Sequence, residues 1–412
     1  MTLQPRRPSP AYGPRNRNRP VNASDTTSSP HTSVRVWFLT STAIFWFSHY
    51  TYVPILAPYA EHQGGSFSLI GIVVSAYGFA QLLFRLPLGL YSDRIGRRKP
   101  FITLGLLSAG VAGMVLALSP SPEWMIVARF VSGISACSWV AFTVLYSGYY
   151  PPGQTTRAMG HISFVNGLSI MSSTYLGGWL ADHYGWLAPF WASAGFGVLG
   201  TFVSLGTSES RVPAHGTLSL NASREILRHP TLIWSSIAAS LGMYTVFTSS
   251  FGFLPNFALT LGATKTDLGM LSALTLLCGS VAGLSASRLA LPLLGPRYAI
   301  VVAYGVVTLV TATIPHATEV WQLFVLQALS GLCRGTAYPI MMSLAIHGIS
   351  ERDKATAMGF FQAVYSAGMF LGPLVAGQIG GWMGYTMLFS SSALVAAVSV
   401  LASLKLPRRL DG

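Results

Sequence analysis

The chain has 412 residues, 51% of them hydrophobic and only 9% charged, with 42 glycines. Such a composition excludes an ordinary soluble domain and suits helices packed closely in lipid. The formal charge of +13 would suit nucleic acid, but the placement of the charges argues against that partner.

Residues 1–33 are rich in Pro, Ser and Asn and carry Arg6, Arg7, Arg15, Arg17 and Arg19. They hold too little apolar surface for a core, and no leader pattern follows them. This stretch reads as a disordered basic cytoplasmic tail lying near anionic headgroups.

From Val34 onward the sequence predicts twelve apolar segments, at 34–59, 68–90, 101–118, 124–147, 157–180, 187–206, 231–258, 267–287, 298–314, 320–347, 356–379 and 386–404. Most approach the length of about 20 residues that a helix needs to cross a bilayer. With the tail placed inside, Lys265 alone among the 25 Lys and Arg residues falls outside, while Arg85, Arg129 and Arg334 fall within spans. That asymmetry predicts twelve transmembrane helices with both termini cytoplasmic. The three cysteines, Cys137, Cys278 and Cys333, lie in apolar runs without disulfide or metal spacing and read as packing residues.

Internal repetition divides the chain. Ala158-Met159-Gly160 recurs as Ala357-Met358-Gly359, and the same offset carries Gly178 to Gly377, Gly185 to Gly384 and Phe190 to Phe389. Two related bundles follow, 34–207 and 231–405, with a cytoplasmic connection at 208–230 that is amphiphilic around Ser223–Arg228 and a short tail at 406–412.

Between the second and third segments the sequence reads Gly89-x-x-x-Asp93-Arg94-x-Gly96-Arg97-Arg98-Lys99. A turn this basic between membrane-length segments marks the cytoplasmic side. Its residues and spacing resemble the loop 2–3 signature of the major facilitator superfamily, and the resemblance covers about residues 34–405. It implies an all-α integral membrane fold of two pseudo-symmetric six-helix bundles, and alternating-access transport. In that setting Gly89 lets helices 2 and 11 approach, and Asp93 caps the N-terminus of helix 11 as a latch between the bundles. Arg97 and Arg98 hold Asp93 or lipid phosphate.

Further motifs resemble particular branches. Tyr52-Val-Pro54-Ile-Leu-Ala-Pro58 is similar to the double-proline exit of helix 1 in drug-efflux members, and Arg129-x-x-x-Gly133 to a motif linked to proton coupling. The Gly-Pro kink of antiporter helix 5 is missing at Ser173-Thr174, and a similar pattern stands in helix 11 at Gly372-Pro373.

Buried charge costs at least about 2.5–3.5 kcal/mol on insertion scales, so Arg85, Arg129 and Arg334 should face a cavity or a partner. No Asp or Glu lies deep in any predicted span. The cavity is therefore net positive and suits an anionic or zwitterionic solute, with Arg85 and Arg334 as carboxylate or phosphate clamps. The competing expectation has each arginine capping backbone carbonyls or pairing with tyrosine. His49, His161 and His347 are candidates for proton exchange. Trp46, Tyr50, Tyr52, Gln81, Trp139, Asn166, Tyr244, Asn256, Gln327 and Tyr338 would line a mixed aromatic and polar pocket.

These features predict a monomeric prokaryotic cytoplasmic-membrane transporter, driving efflux of a small organic compound with protons. The cargo would be a drug-like or anionic metabolite, or a carboxylate-bearing metallophore. Uptake of an organic anion by proton symport or exchange is the alternative, and a membrane sensor or enzyme is the alternative of a different class. No cofactor, metal or nucleic acid is expected, since metal-ligand clusters, catalytic triads and Walker-type loops are absent from the sequence.

Overall fold

The computed structural model describes residues 32–151, 154–209, 228–286, 288–350 and 354–408, without the side chains of Leu90, Asp93, Thr155, Thr156 and Ala355. The predicted tail, except its last residues, and the amphiphilic stretch at Ser223–Arg228, except Arg228, lie outside the described residues.

Among the described residues every regular element is helical. The first half holds α1 (Thr32–Tyr50), α2 (Val53–His62), α3 (Phe67–Ile95), α4 (Lys99–Ala117), α5 (Pro122–Ala136), α6 (Trp139–Ser147), α7 (Thr155–Tyr184) and α8 (Ala188–Leu205). The second holds α9 (Pro230–Thr248), a π-helical turn (Ser249–Phe253), α10 (Leu254–Thr260), α11 (Lys265–Ala286) and α12 (Ala290–Thr313). A 3₁₀ turn (Ile314–His316), α13 (Val320–Ala345) and α14 (Lys354–Ser403) complete it. Among the described residues, eight stretches are long and apolar enough to cross a membrane. The least apolar rods, α1 with α2, α7 and α13, are not among those eight, and they carry many of the polar candidates.

Local chemistry sets the ends. Ser66 opens α3 by accepting from the Leu69 N–H at 3.3 Å, and Gly96 closes it at φ +67°, a left-handed cap that favours glycine. Glu319 and Gln322 form a capping box at α13. Helix α14 breaks at Gly384, φ +71°, and thus supplies two rods where the sequence predicts two spans. The predicted first, fourth and seventh spans are each interrupted: at Thr51–Tyr52, at Cys137–Ser138 and by the π-turn. Pro54 after the first break, and Gly252 and Pro255 at the third, loosen the helical ladder there.

The packing repeats between halves. In the first, α1 lies on α7 and α8, α4 on α5 and α8, and α3 on α5. In the second, α9 and α12 each lie on α13 and α14, and α11 lies on α13. Across the halves, α3 packs on α14, α7 on α11, and α2 on α10 and α11.

Glycines permit the closest of these approaches. A Cβ on Gly71 would stand 2.4 Å from the Pro373 carbonyl oxygen, and one on Gly178 would stand 2.4 Å from that of Lys265. Its neighbour Gly177 is pressed on the Thr51 carbonyl, inside the break between α1 and α2. At the other end of α3 the situation reverses: a Cβ on Gly89 would meet nothing within 4 Å. The halves are therefore clamped at the Phe67 end, whereas Gly89 itself faces open space, although Leu86, one turn away, would stand 3.5 Å from a Cβ on Gly359 of α14.

Candidate transport site

The three intramembrane arginines come to lie on tyrosine and serine, not on carboxylates. Arg85 of α3 is buried and donates from Nη1 to the Tyr365 hydroxyl of α14. The Tyr365 ring stands 6.2 Å from Tyr338, which is one turn beyond Arg334 on α13. Arg129 of α5 is buried, donates to the Tyr52 hydroxyl at 3.2 Å, and lies 4.4 Å from the Tyr77 ring centre. Cation–π contact offsets part of the cost of that burial. The expected tyrosine pairing thus holds for Arg85 and Arg129.

Arg334 is only partly buried and uses serine. Its Nη1 reaches Ser250 Oγ at 2.9 Å and its Nη2 reaches Ser249 Oγ at 3.2 Å. Both serines come from the π-turn, whose extra residue turns consecutive side chains toward α13. Ser250 also donates to Gln327 Oε1 at 2.9 Å, and Thr275 donates to the same oxygen at 3.2 Å. Gln327 is therefore tied beside Arg334, two turns apart on one face, as the sequence spacing predicts. A small cavity lined by Ser250, Leu254, Leu268, Ser272 and Gln327 adjoins it.

Several buried polar atoms here lack a partner, the hydroxyl oxygens of Ser138, Thr248 and Ser330 among them. Trp46 Nε1, Gln81 Nε2 and the Nε atoms of Arg85, Arg129 and Arg334 are buried N–H donors without an acceptor. A buried donor left unpaired costs about 1–3 kcal/mol, so these atoms favour a ligand rich in acceptors.

His49 is buried on α1, with Nδ1 3.0 Å from the Phe45 carbonyl oxygen and Nε2 3.3 Å from that of Ser132. Tyr52 Oη and Ser132 Oγ lie 2.9 Å apart, joining His49 and Arg129 through one polar cluster. Tyr50 is half-buried, its ring 6.0 Å from Phe251 of the opposite half, and Trp46 meets Trp139 at 5.0 Å. Asn166 lies half-buried on α7. His161 is exposed and hydrogen-bonds through Nδ1 with Tyr150 at 2.7 Å. His347 falls beyond the end of α13, in a turn, since that helix stops at Ala345.

Asn256, expected in the central pocket, belongs instead to the clamped end, where its Nδ2 donates to Glu61 Oε2. The clamp is completed by Ser68, which donates to Gln378 at 3.1 Å, and by Asp182 of α7. The Asp182 carboxylate accepts from the Thr266 hydroxyl at 2.7 Å and the Thr266 N–H at 3.3 Å, at the N-terminus of α11. Partial burial raises the Asp182 pKa, but these hydrogen bonds and neighbouring Lys265 outweigh it and hold the group below its usual value. Lys265 in turn donates to the Ala181 carbonyl at 3.2 Å.

Of the loop signature, Gly89 and Gly96 are placed as above, and Arg94 and Arg97 are exposed. The Arg98 side chain is buried and donates to Ser92 Oγ. Glu209, beyond α8, accepts from the Arg98 N–H at 2.9 Å and the Lys99 N–H at 3.1 Å, capping α4. The expected Asp93 latch falls on a side chain outside those described. Helix α14 remains helical through Gly372 and Pro373, where Gly372 faces the Tyr244 carbonyl of α9.

The helical rods, their paired packing and a polar core at the junction of the halves define a multi-pass membrane protein of the transporter class. The Major Facilitator Superfamily profile matches residues 38–319 and 258–411, and the chain belongs to that family. It is 28% identical over 371 residues to the inner membrane transport protein YajR of Escherichia coli, covering 86% of this chain and 79% of that protein. An uncharacterized MFS-type transporter of Methanocaldococcus jannaschii, MJ1560, is 24% identical over 370 residues, covering 86% and 93%. The fold matches a mutant form of the nucleoside transporter NupG, with TM-score 0.76 at 14% identity over 90% of this chain and 99% of that one. It also matches a bacterial homologue of the human lysosomal transporter Spinster, inward-facing and occupied, with TM-score 0.75 at 13% identity over 90% and 95%.

Proposed function

We propose that this chain is a secondary active transporter of a small organic anion or zwitterion, working by alternating access in a prokaryotic cytoplasmic membrane. The observation that carries this is the set of unpaired buried donors on Trp46, Gln81, Arg85, Arg129 and Arg334. A carboxylate or phosphate offers the acceptors that such donors lack. With the basic loops inside, the clamped Phe67 end is the outer end, and the open space at Gly89 supports an inward-open state. The chain would then comprise two six-helix bundles over 34–207 and 231–405 with both termini cytoplasmic.

Protons are the proposed driving ion, and the helix 1 and helix 4 motifs, being similar to those of efflux members, support export. The cationic core supports a second direction. An anion and a proton entering one positive site attract each other, so binding of one favours the other and both travel together. Uptake by symport follows from that coupling.

A thermal-shift screen in detergent tests the substrate class. Organic anions should raise the melting midpoint of the parent protein and fail to do so for Arg334→Ala. Stabilisation by lipophilic cations alone would contradict the proposal.

A further inference from the structure

His49 lies between two groups that only accept hydrogen bonds. Its Nδ1 is 3.0 Å from the Phe45 carbonyl oxygen within α1, and its Nε2 is 3.3 Å from the Ser132 carbonyl oxygen on α5. A neutral imidazole carries one N–H and one lone pair. Whichever tautomer forms, one ring nitrogen then turns its lone pair onto a carbonyl oxygen. An imidazolium donates to both. The ring is 2% exposed, so water does not relieve the mismatch.

We propose that His49 is a proton-binding site and that the proton it takes up ties α1 to α5 through Ser132. This deepens the proton-driven transport proposed above and rests on it for its role in the cycle. The step is simple: one proton passes from water to the ring nitrogen that lacks one, and no other bond changes. In the present conformation both nitrogens are sealed by carbonyls. Loading and release therefore require α1 to move relative to α5, which links protonation to rocking of the first half.

The groups around the ring fit this role. On α1, Phe45 and Trp46 lie 4.4 and 5.9 Å from it, centre to centre. From the α1–α2 break, Tyr52 reaches Ser132 Oγ at 2.9 Å. From α5 comes Arg129, bonded to Tyr52, and from α3 comes Tyr77 beneath Arg129. Behind Phe45 stands Phe142 of α6, and α8 offers Ser193, bonded to Ser48. Next to His49 the described charge is Arg129, and the titratable neighbours are Tyr50, Tyr52 and Tyr77. Burial away from water, and to a smaller extent repulsion from Arg129, weighs against the charged ring and makes the proton exchangeable, and an anion on Arg129 would strengthen proton binding.

Ring-15N NMR of histidine-labelled protein in lipid nanodiscs tests this with the proton itself as ligand. His49→Gln assigns the signal among the nine histidines, and His49→Asn serves if that variant does not fold. The expected result is convergence of the two His49 ring nitrogens to imidazolium shifts on acidification from about pH 8 to about pH 3.5, because burial disfavours the charged ring. Two distinct shifts of one neutral tautomer throughout that range would overturn the proposal. Such a failure would leave substrate stabilisation and flux untouched, so it is distinguishable from failure of the transport function.

Discussion

Arg85 of α3 donates to the hydroxyl of Tyr365 on α14, so a buried cation of the first half is held by a tyrosine of the second. This bond lies between the clamped Phe67 end of α3 and Gly89. It must lengthen or re-form whenever the halves rock. Tyr365→Phe removes the acceptor and leaves another guanidinium N–H unpaired in a buried site, at a cost of about 1–3 kcal/mol. The apparent melting midpoint of the purified protein should fall by a few degrees. An unchanged midpoint would mean that water or lipid replaces the hydroxyl.

Two glycines near opposite ends of α3, Gly71 and Gly89, should respond oppositely to bulk. Gly71→Val places atoms where the Pro373 carbonyl already stands, so it should force the clamped end apart. A cysteine at Ser250 would then become labelled by an impermeant thiol reagent added from that side. Gly89→Val fits the present conformation, because nothing lies within 4 Å. It should preserve stability yet block closure of the opposite end, abolishing flux.

Asp182 supplies a pH test with a definite sign. Its carboxyl is held below the usual value in the clamped state. The latch therefore persists above the unclamped Asp pKa of about 3.9 and is lost only as pH falls through the depressed value. Electron-spin distances between labels on the clamped ends of α7 and α11 should stay constant from about pH 8 to about pH 5. Asp182→Asn should widen them across the whole range. Widening of the parent protein near neutral pH would transfer proton sensing to this latch.

Ser250 serves Arg334 and Gln327 together. Ser250→Ala should loosen both and weaken anion binding several-fold, with a smaller loss for Ser249→Ala, whose bond is longer at 3.2 Å. Ligand titrations on the two variants check the order.

Much of this organisation is legible in the sequence because the bilayer imposes it. Apolar length marks the rods, and the constant offset that carries Gly178 to Gly377 predicts related contacts. Gly178 meets α11 and Gly377 meets α3, both across the halves. The three intramembrane arginines are legible for the same reason, since charge in an apolar run stands out. Their partners are not. Tyr77 and Tyr365 look like ordinary aromatic residues until two helices are brought together. Ser249 and Ser250 act as a pair only because a π-turn adds a residue to the helical register, for which adjacent Gly252 and Pro255 are the sole hints. Asn256 reads as a pocket residue from its place in an apolar run, but the break in its helix redirects it to Glu61.

The decisive measurement is solute flux into proteoliposomes under an imposed pH gradient, comparing organic anions with lipophilic cations for the parent protein and Arg334→Ala. Gradient-dependent movement of anions or zwitterions, lost in the variant, is the predicted result, and the gradient's polarity assigns export or uptake. Movement of lipophilic cations that Arg334→Ala leaves unaltered would contradict it, and the arginines would then serve the fold alone.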